Sequence, residues 1–352
     1  MTGGLGFIGS HVVDALVERG DSVVVLDRLH PLSHAAEPVY RNPGAEYVRG
    51  DLRDAAAVRG ALRGATAVSH QAAMVGIGVD LGDAPGYVSD NDLGTAVLLA
   101  ELAASRFAGA LVVGSSMVVY GDGRYRCRRH GEVPAPPRRA EALASGAFDP
   151  VCPRCGEPLA PAAVPEDAPP DPRSVYAATK VHQEHLATVF GRETGAAVTR
   201  LRYHNVYGPR MPRDTPYSGV AAIFRSALER GTAPEVYEDG LQLRDFVHVH
   251  DVAAANLLAL DANRSGAYNV ATGRPTSVAA MAAALCERLR PGAVPAISGR
   301  YRLGDVRHVL GSTARARREL GFEARTGFAA GMDDFARAAL RAPAPPRADE
   351  AA

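Results

Sequence analysis

MTGGLGFIGSHV (Met1–Val12) is the stretch that decides the fold. Gly3, Gly6 and Gly9 recur every third residue and run straight into a helical pattern of His11, Val12, Ala15 and Leu16. Glycines so spaced let a backbone turn tightly and approach a pyrophosphate, whose charge the first-turn amides and the helix dipole then stabilise. The next apolar run, VVVLD, ends in Asp27, 18 residues past Gly9. A carboxylate at that spacing can accept hydrogen bonds from both hydroxyls of an adenosine ribose. It would repel a 2′-phosphate, so NAD is expected rather than NADP, with Arg28 alongside as the one opposing charge. Contacts to this cofactor are accordingly expected from Gly3, Gly6, Phe7, Ile8, Gly9 and Asp27.

Outward from that turn, β-branched runs alternate with amphipathic stretches as far as Gly123. SVVVLD (22–27), AEYVRGDL (45–52), ATAVSHQAA (65–73) and GALVVGSS (109–116) read as strands. Leu98, Leu99 and Leu102 mark a helix over 91–105. Near-continuous apolar strands separated by helices predict an α/β fold, a Rossmann-type doubly wound parallel sheet covered on both faces. Residues 123–172 break the pattern and read as an insertion rich in Pro, Arg and Ala. Regular structure resumes with a helix from Val175 to Glu193 and a strand over 197–208. The NAD-binding domain is therefore expected over 1–208, interrupted by 123–172. A smaller mixed lobe for the substrate is expected over 209–340, and a disordered Pro/Ala-rich tail over 341–352.

Composition bounds the partners. Lys plus Arg equal Asp plus Glu at 39 each, so no net field favours nucleic acid or an anionic membrane, while a small anionic ligand is compatible. No apolar window long enough for a membrane span is present, and a cytoplasmic protein is expected.

Chemistry enters with SVYAATK, which places Tyr176 and Lys180 four apart on one helix face. A phenol is a poor base at neutral pH, but a lysine cation one turn away, joined by a nicotinamide's positive charge, favours the phenolate. Ser115 and Ser116 end the last strand before the insertion, at the sheet edge where doubly wound folds bind ligands. Ser116 can hydrogen-bond the oxygen that Tyr176 deprotonates.

Taken in order, Gly3/Gly6/Gly9, GDLRD (50–54), HQAA (70–73), SSMVVYG (115–121), YAATK (176–180), LRYHNVYGPR (201–210) and QLRDFVHVHDVA (242–253) resemble the extended short-chain dehydrogenase/reductase family. Within it they are similar to the NAD-dependent nucleotide-sugar 4-epimerases. The resemblance implies a catalytic set of Ser116, Tyr176 and Lys180, with Ser115, Tyr176 and Lys180 also touching NAD. It implies that Asp51 and Leu52 flank the adenine, that Ala72 and Ala73 line the cofactor's path, and that Asn91 supports it. It implies substrate contacts from Ser116, Asn205, Arg244 and Arg307, the arginines gripping a diphosphate. Family dehydratases carry acids directly after the catalytic serine, where this chain has Met117 and Val118. What remains is hydride removal at C4, turning of the 4-keto sugar, and hydride return. Stretches such as CPRCGEPL (152–159) resemble, within the epimerases, those that act on dTDP-L-rhamnose and related dTDP-6-deoxyhexoses. A homodimer through the helices at 91–105 and 175–193 is also implied. An NAD(P)H-dependent 4-ketoreductase would need the same three residues, and a non-catalytic NAD-binding member is a third reading. Family members lead into the glycines with a full apolar strand, whereas Met1 stands where its last valine would be. The expectation is a truncated first strand and a true start several residues upstream.

The insertion holds its own pattern. Cys127-x2-His130, then 21 residues, then Cys152-x2-Cys155 has the spacing of a tetrahedral structural zinc site, with Gly156 free to turn the backbone under the metal. Cys286 reads as a core residue, and His248 with His250 as core or hydrogen-bonding groups.

Overall fold

A computed structural model describes residues 1–31, 33–34, 36–76, 81–213 and 219–341; most of the expected tail lies outside them. The first half runs α1 (Phe7–Arg19), β1 (Val23–Asp27), β2 (Ala45–Arg49), α2 (Ala55–Ala61), β3 (Ala67–His70), α3 (Ala84–Tyr87), a π-helical turn (Val88–Leu93), α4 (Gly94–Ala104) and β4 (Ala110–Ser116). The insertion holds β5 (Arg124–Cys127), β6 (Gly131–Val133), α5 (Ala140–Ala144) and β7 (Ala160–Val164). There follow α6 (Val175–Thr194), β8 (Val198–Tyr203), β9 (Asn205–Tyr207), α7 (Val220–Glu229), β10 (Glu235–Val236), β11 (Leu243–Arg244), β12 (Phe246–His248), α8 (Val249–Ala262) and β13 (Gly266–Val270). The chain closes with β14 (Thr276–Ser277), α9 (Val278–Leu289), β15 (Ala296–Ile297), β16 (His308–Gly311), α10 (Ala314–Leu320) and α11 (Phe328–Arg337).

The main sheet is parallel throughout. β1 pairs with β2, and β3, β4, β8 and β13 pair in that order. Between β1 and β3 lie Met1–Gly3. Leu26 N–H donates to Met1 O (2.8 Å) and Gly3 N–H to Leu26 O (3.0 Å) on one side. Thr2 N–H donates to Ser69 O (3.0 Å) and Gln71 N–H to Thr2 O (3.1 Å) on the other. β4 alternates between the two faces, as a sheet covered on both sides requires. Leu111 and Val113 join Leu98, Leu102, Ala187 and Phe190 from α4 and α6, whereas Val112 joins Val252, Ala255 and Ala259 from α8. A separate core built on Phe224, Met281, Leu285, Met332 and Phe335 joins α7, α9 and α11.

Three features depart from the sequence expectation. The strand over 197–208 breaks at His204, because the backbone changes partner: His204 N–H donates to Val270 O, whereas Asn205 N–H donates to Asp245 O. β9 then pairs with β12 instead of continuing β8. The insertion is not irregular, since β5, β6 and β7 complete a second sheet of order β14-β11-β16-β7-β5-β6. Nor does position 208 divide the layers cleanly, because α8 and β13 return to the main sheet. No helix among the described residues is long and apolar enough to cross a membrane.

Candidate active site

The carboxyl ends of the central strands open onto a cleft of about 430 Å³. Its lining contains Gly3, Gly6, Phe7, Ile8, Gly9, Asp27, Asp51, Leu52, Ala72, Ala73, Ser115, Ser116, Tyr176, Lys180 and Asn205. At one end is the glycine turn. Gly3 sits at φ +67°, and a Cβ there would stand 2.6 Å from Ala72 N, while one on Gly9 would stand 2.1 Å from Gly3 O. Both positions therefore demand glycine. α1 begins at Gly6, which has no side chain to cap the helix, so its first-turn amides are left for a ligand. Asp27 is held in place by Leu5 N–H (3.0 Å) and Leu29 N–H (2.9 Å), one on each carboxylate oxygen, leaving further lone pairs for a ribose. Arg28 does not compete, because its guanidinium is drawn onto Asp51 (3.0 Å) and Asp90. Bonding to Arg53 above all, and to Arg28, holds the Asp51 carboxyl well below the usual range. These residues fit a dinucleotide with unphosphorylated ribose.

At the other end, Ser174 caps α6 by accepting from Ala177 N–H (3.1 Å), which sets Tyr176 and Lys180 in the first turns of the helix. Lys180 Nζ donates to Gly114 O (2.8 Å) and lies 5.9 Å from the centre of the Tyr176 ring. Ser116 lies near the Tyr176 hydroxyl and favours the phenolate. Burial pushes Tyr176 up to about 12 against the lowering effect of Ser116, and pushes Lys180 down to about 8 against the raising effect of Glu184 and Asp92.

Sequence reading missed the polar chain behind this pair. Thr2 Oγ1 meets His70 Nδ1 (2.7 Å), His70 Nε2 meets Thr95 Oγ1 (2.9 Å), and Gln183 Nε2 donates to Thr95 Oγ1 (2.6 Å). Asn91, fully buried, accepts from Met74 N–H (2.7 Å) and donates to Thr179 (3.0 Å). It holds the Ala72–Met74 loop to α6 rather than lining the cleft. Ser115 is also in the lining, and its hydroxyl donates to Glu184 (2.5 Å) in a buried pair with Arg202 (2.7 Å). The available signal was polar residues at helix positions that otherwise face the core.

Arg244 and Arg307 are not brought to the cleft. Arg307 is 2% exposed and bonded to Asp149 (2.7 Å), Glu238 (2.9 Å) and Asp239 (2.7 Å). Arg244 beside it donates to the carbonyls of Val306 (2.6 Å) and Arg307 (2.9 Å). Three carboxylates from the insertion and the second lobe saturate Arg307, which is why it faces away.

These features meet in known proteins. The chain matches the NAD dependent epimerase/dehydratase family over residues 1–153 and 149–271. It belongs to that family. This epimerase-family chain is 33% identical over 345 residues to the dTDP-L-rhamnose 4-epimerase of Burkholderia thailandensis, covering 95% of this chain and 93% of that protein. It superposes on the Thermus thermophilus UDP-glucose 4-epimerase solved with NAD at a TM-score of 0.76 and 32% identity, covering 95% and 96% of the two chains. The Thermotoga maritima UDP-glucose 4-epimerase solved with UDP-glucose gives a TM-score of 0.77 at 29% identity, with the same coverage. The family member is thus an extended short-chain dehydrogenase/reductase of the epimerase/dehydratase type.

Away from the cleft, the insertion gathers four ligand atoms. Cys127 Sγ lies 3.7 Å from Cys155 Sγ and 3.5 Å from His130 Nδ1, and Cys152 Sγ lies 3.5 Å from the same nitrogen. All four fall within 4.8 Å of one another. A tetrahedral ion ~2.3 Å from sulfur and ~2.0 Å from nitrogen spaces two sulfurs about 3.8 Å apart and a sulfur and a nitrogen about 3.5 Å apart. A disulfide needs ~2.05 Å, and all four cysteines are free. Gly156, at φ +74°, turns the chain so that its N–H reaches Cys152 O (2.8 Å).

Proposed function

We propose that this protein interconverts the C4 epimers of a nucleotide-diphosphate 6-deoxyhexose of the dTDP-L-rhamnose type through a transient 4-keto sugar. The observation that carries the reading is the pairing of Ser116 and Tyr176 in a cleft whose next two residues, Met117 and Val118, are apolar. NAD, when bound, supplies a hydride acceptor that can give the hydride back. Tyr176 takes the proton of the C4 hydroxyl and returns it. Ser116 steadies that oxygen, and Lys180 stabilises the charge on the phenolate. Met117 and Val118, the two residues that follow Ser116, carry no acid that could expel water from the sugar. Met74, Val75, Met117 and Val118 line the cleft, an apolar surface suited to a methyl group rather than to a hydroxymethyl or carboxylate. Asn205, also in the lining, suits a hydrogen bond to the substrate's phosphates.

The same reading includes a zinc ion on Cys127, His130, Cys152 and Cys155, supported by the tetrahedral spacing, in a cytoplasmic protein with reduced thiols. The closed four-ligand shell makes that ion structural. It also includes a homodimer through the helices at 91–105 and 175–193, supported by Val88 and Leu93 in the π-helical turn leading into α4 and Val189 on α6, each about half exposed.

The test is incubation of the purified protein with dTDP-, UDP- and GDP-6-deoxyhexoses without added reduced cofactor, with the C4 configuration of the product read by NMR. Interconversion of a dTDP-6-deoxyhexose pair is expected. Turnover only when NADH or NADPH is supplied would make the protein a ketoreductase instead.

A further inference from the structure

After α11 the chain turns back across the loop that follows β9. Arg210 N–H donates to Ala339 O (3.1 Å) and Arg341 N–H to Met211 O (3.2 Å), while Arg225 reaches the carbonyls of Phe335 and Ala338. This clamp puts Arg341 into the lining of the cleft beside Asp27, Ser33 and His34. Its Nε and Nη1 are sealed from solvent and have no hydrogen-bond partner. The Tyr40 hydroxyl lies near the same guanidinium and donates to Leu5 O (2.9 Å), in the turn that carries the glycines. Asp27 accepts from the Leu5 and Leu29 amides, and no ion pair joins it to Arg341 among the described residues.

A guanidinium has only donors, and leaving two of them buried and unpaired opposes the fold. An anion at the glycine turn would satisfy them together with the uncapped first turn of α1. A guanidinium fork matches phosphate oxygens better than any other side chain. We infer that Arg341 is a binding residue for a diphosphate ester, and that the ester is the diphosphate of the dinucleotide rather than that of the nucleotide sugar. Its nearness to Tyr40, which bonds Leu5 O, and its place beside Asp27 put it at the cofactor end of the cleft.

The full-length protein, stripped of NAD, is titrated calorimetrically with NAD, ADP-ribose, adenosine and dTDP. Arg341→Gln is expected to weaken NAD and ADP-ribose on the order of 10- to 100-fold, while adenosine and dTDP change less than about twofold. Arg341→Lys, which keeps the charge but loses the fork, is expected to recover part of the loss. Circular dichroism and a thermal melt identify a variant that has not folded, and the lysine variant then carries the comparison. Unchanged NAD binding overturns the inference. Weakening confined to dTDP moves the residue to the sugar nucleotide and overturns the assignment to the dinucleotide. Equal weakening of adenosine overturns it too, since adenosine has no phosphate to lose.

Discussion

Tyr176 and Lys180 show how far a residue's chemistry depends on its surroundings. Each is a spacing in the sequence, but Lys180 is also buried and Tyr176 half-buried in the cleft wall, and lost hydration favours the uncharged form of both. Tyr176→Phe removes the proton carrier and leaves the fold alone. Epimerisation should fall by on the order of 10²- to 10⁴-fold, with NAD affinity by calorimetry unchanged. For Lys180 the sign can be worked out. Its pKa falls from 10.5 in the unfolded chain to about 8 in the folded one, so between those values the unfolded chain holds a proton the folded chain has released. Stability contributed by this group therefore rises with pH across that window, by up to about 3 kcal/mol. Urea melts at pH 7.5 and 9.5 should show wild type gaining relative to Lys180→Met; a constant difference would contradict the shift.

At the scale of elements, the glycine turn and the cysteine knuckle contrast. The turn was legible because its demands are local: a positive φ at Gly3 and a backbone contact at Gly9 are met within a dozen residues. Gly9→Ala forces a methyl into Gly3 O, so NAD binding by calorimetry should drop below detection. The strands of the insertion were not legible, since β5, β6 and β7 span only three to five residues and β7 finds its partner in β16, far along the chain. No hydrophobic period can build up in runs so short. The spacing of its cysteines and His130 was nevertheless readable, because Cys127/His130 and Cys152/Cys155 are close pairs along the chain. Cys152→Ser should lose about one equivalent of zinc per chain by plasma mass spectrometry and lower the melting temperature. Retained zinc would sink the proposed site.

Across the whole molecule, the insertion is clasped to the second lobe. Arg138 meets Glu238 (2.8 Å), Arg307 meets Asp149, Glu238 and Asp239, and the Tyr125 hydroxyl accepts from His308 N–H (3.1 Å). Removing Arg307 leaves buried Glu238 with one partner and crowds three carboxylates. Arg307→Met should therefore cost about 3 kcal/mol in urea unfolding, with NAD affinity preserved because the cofactor end lies elsewhere. The resemblance placed Arg307 on the substrate; this clasp is where the folded chain puts it.

Legible in the sequence alone were the glycine turn, the carboxylate at Asp27 and the Ser116–Tyr176–Lys180 grouping that line one cleft, and the alternation that makes a parallel sheet. Each rests on residues close together in the chain or on a periodicity that local geometry imposes. Only the tertiary structure decided that Asn91 braces a loop, that Arg307 is saturated, that Arg341 enters the cleft, and that burial sets the protonation of Tyr176 and Lys180. Those outcomes depend on groups distant in sequence and on the water that packing excludes, and neither is written in any short stretch of the chain.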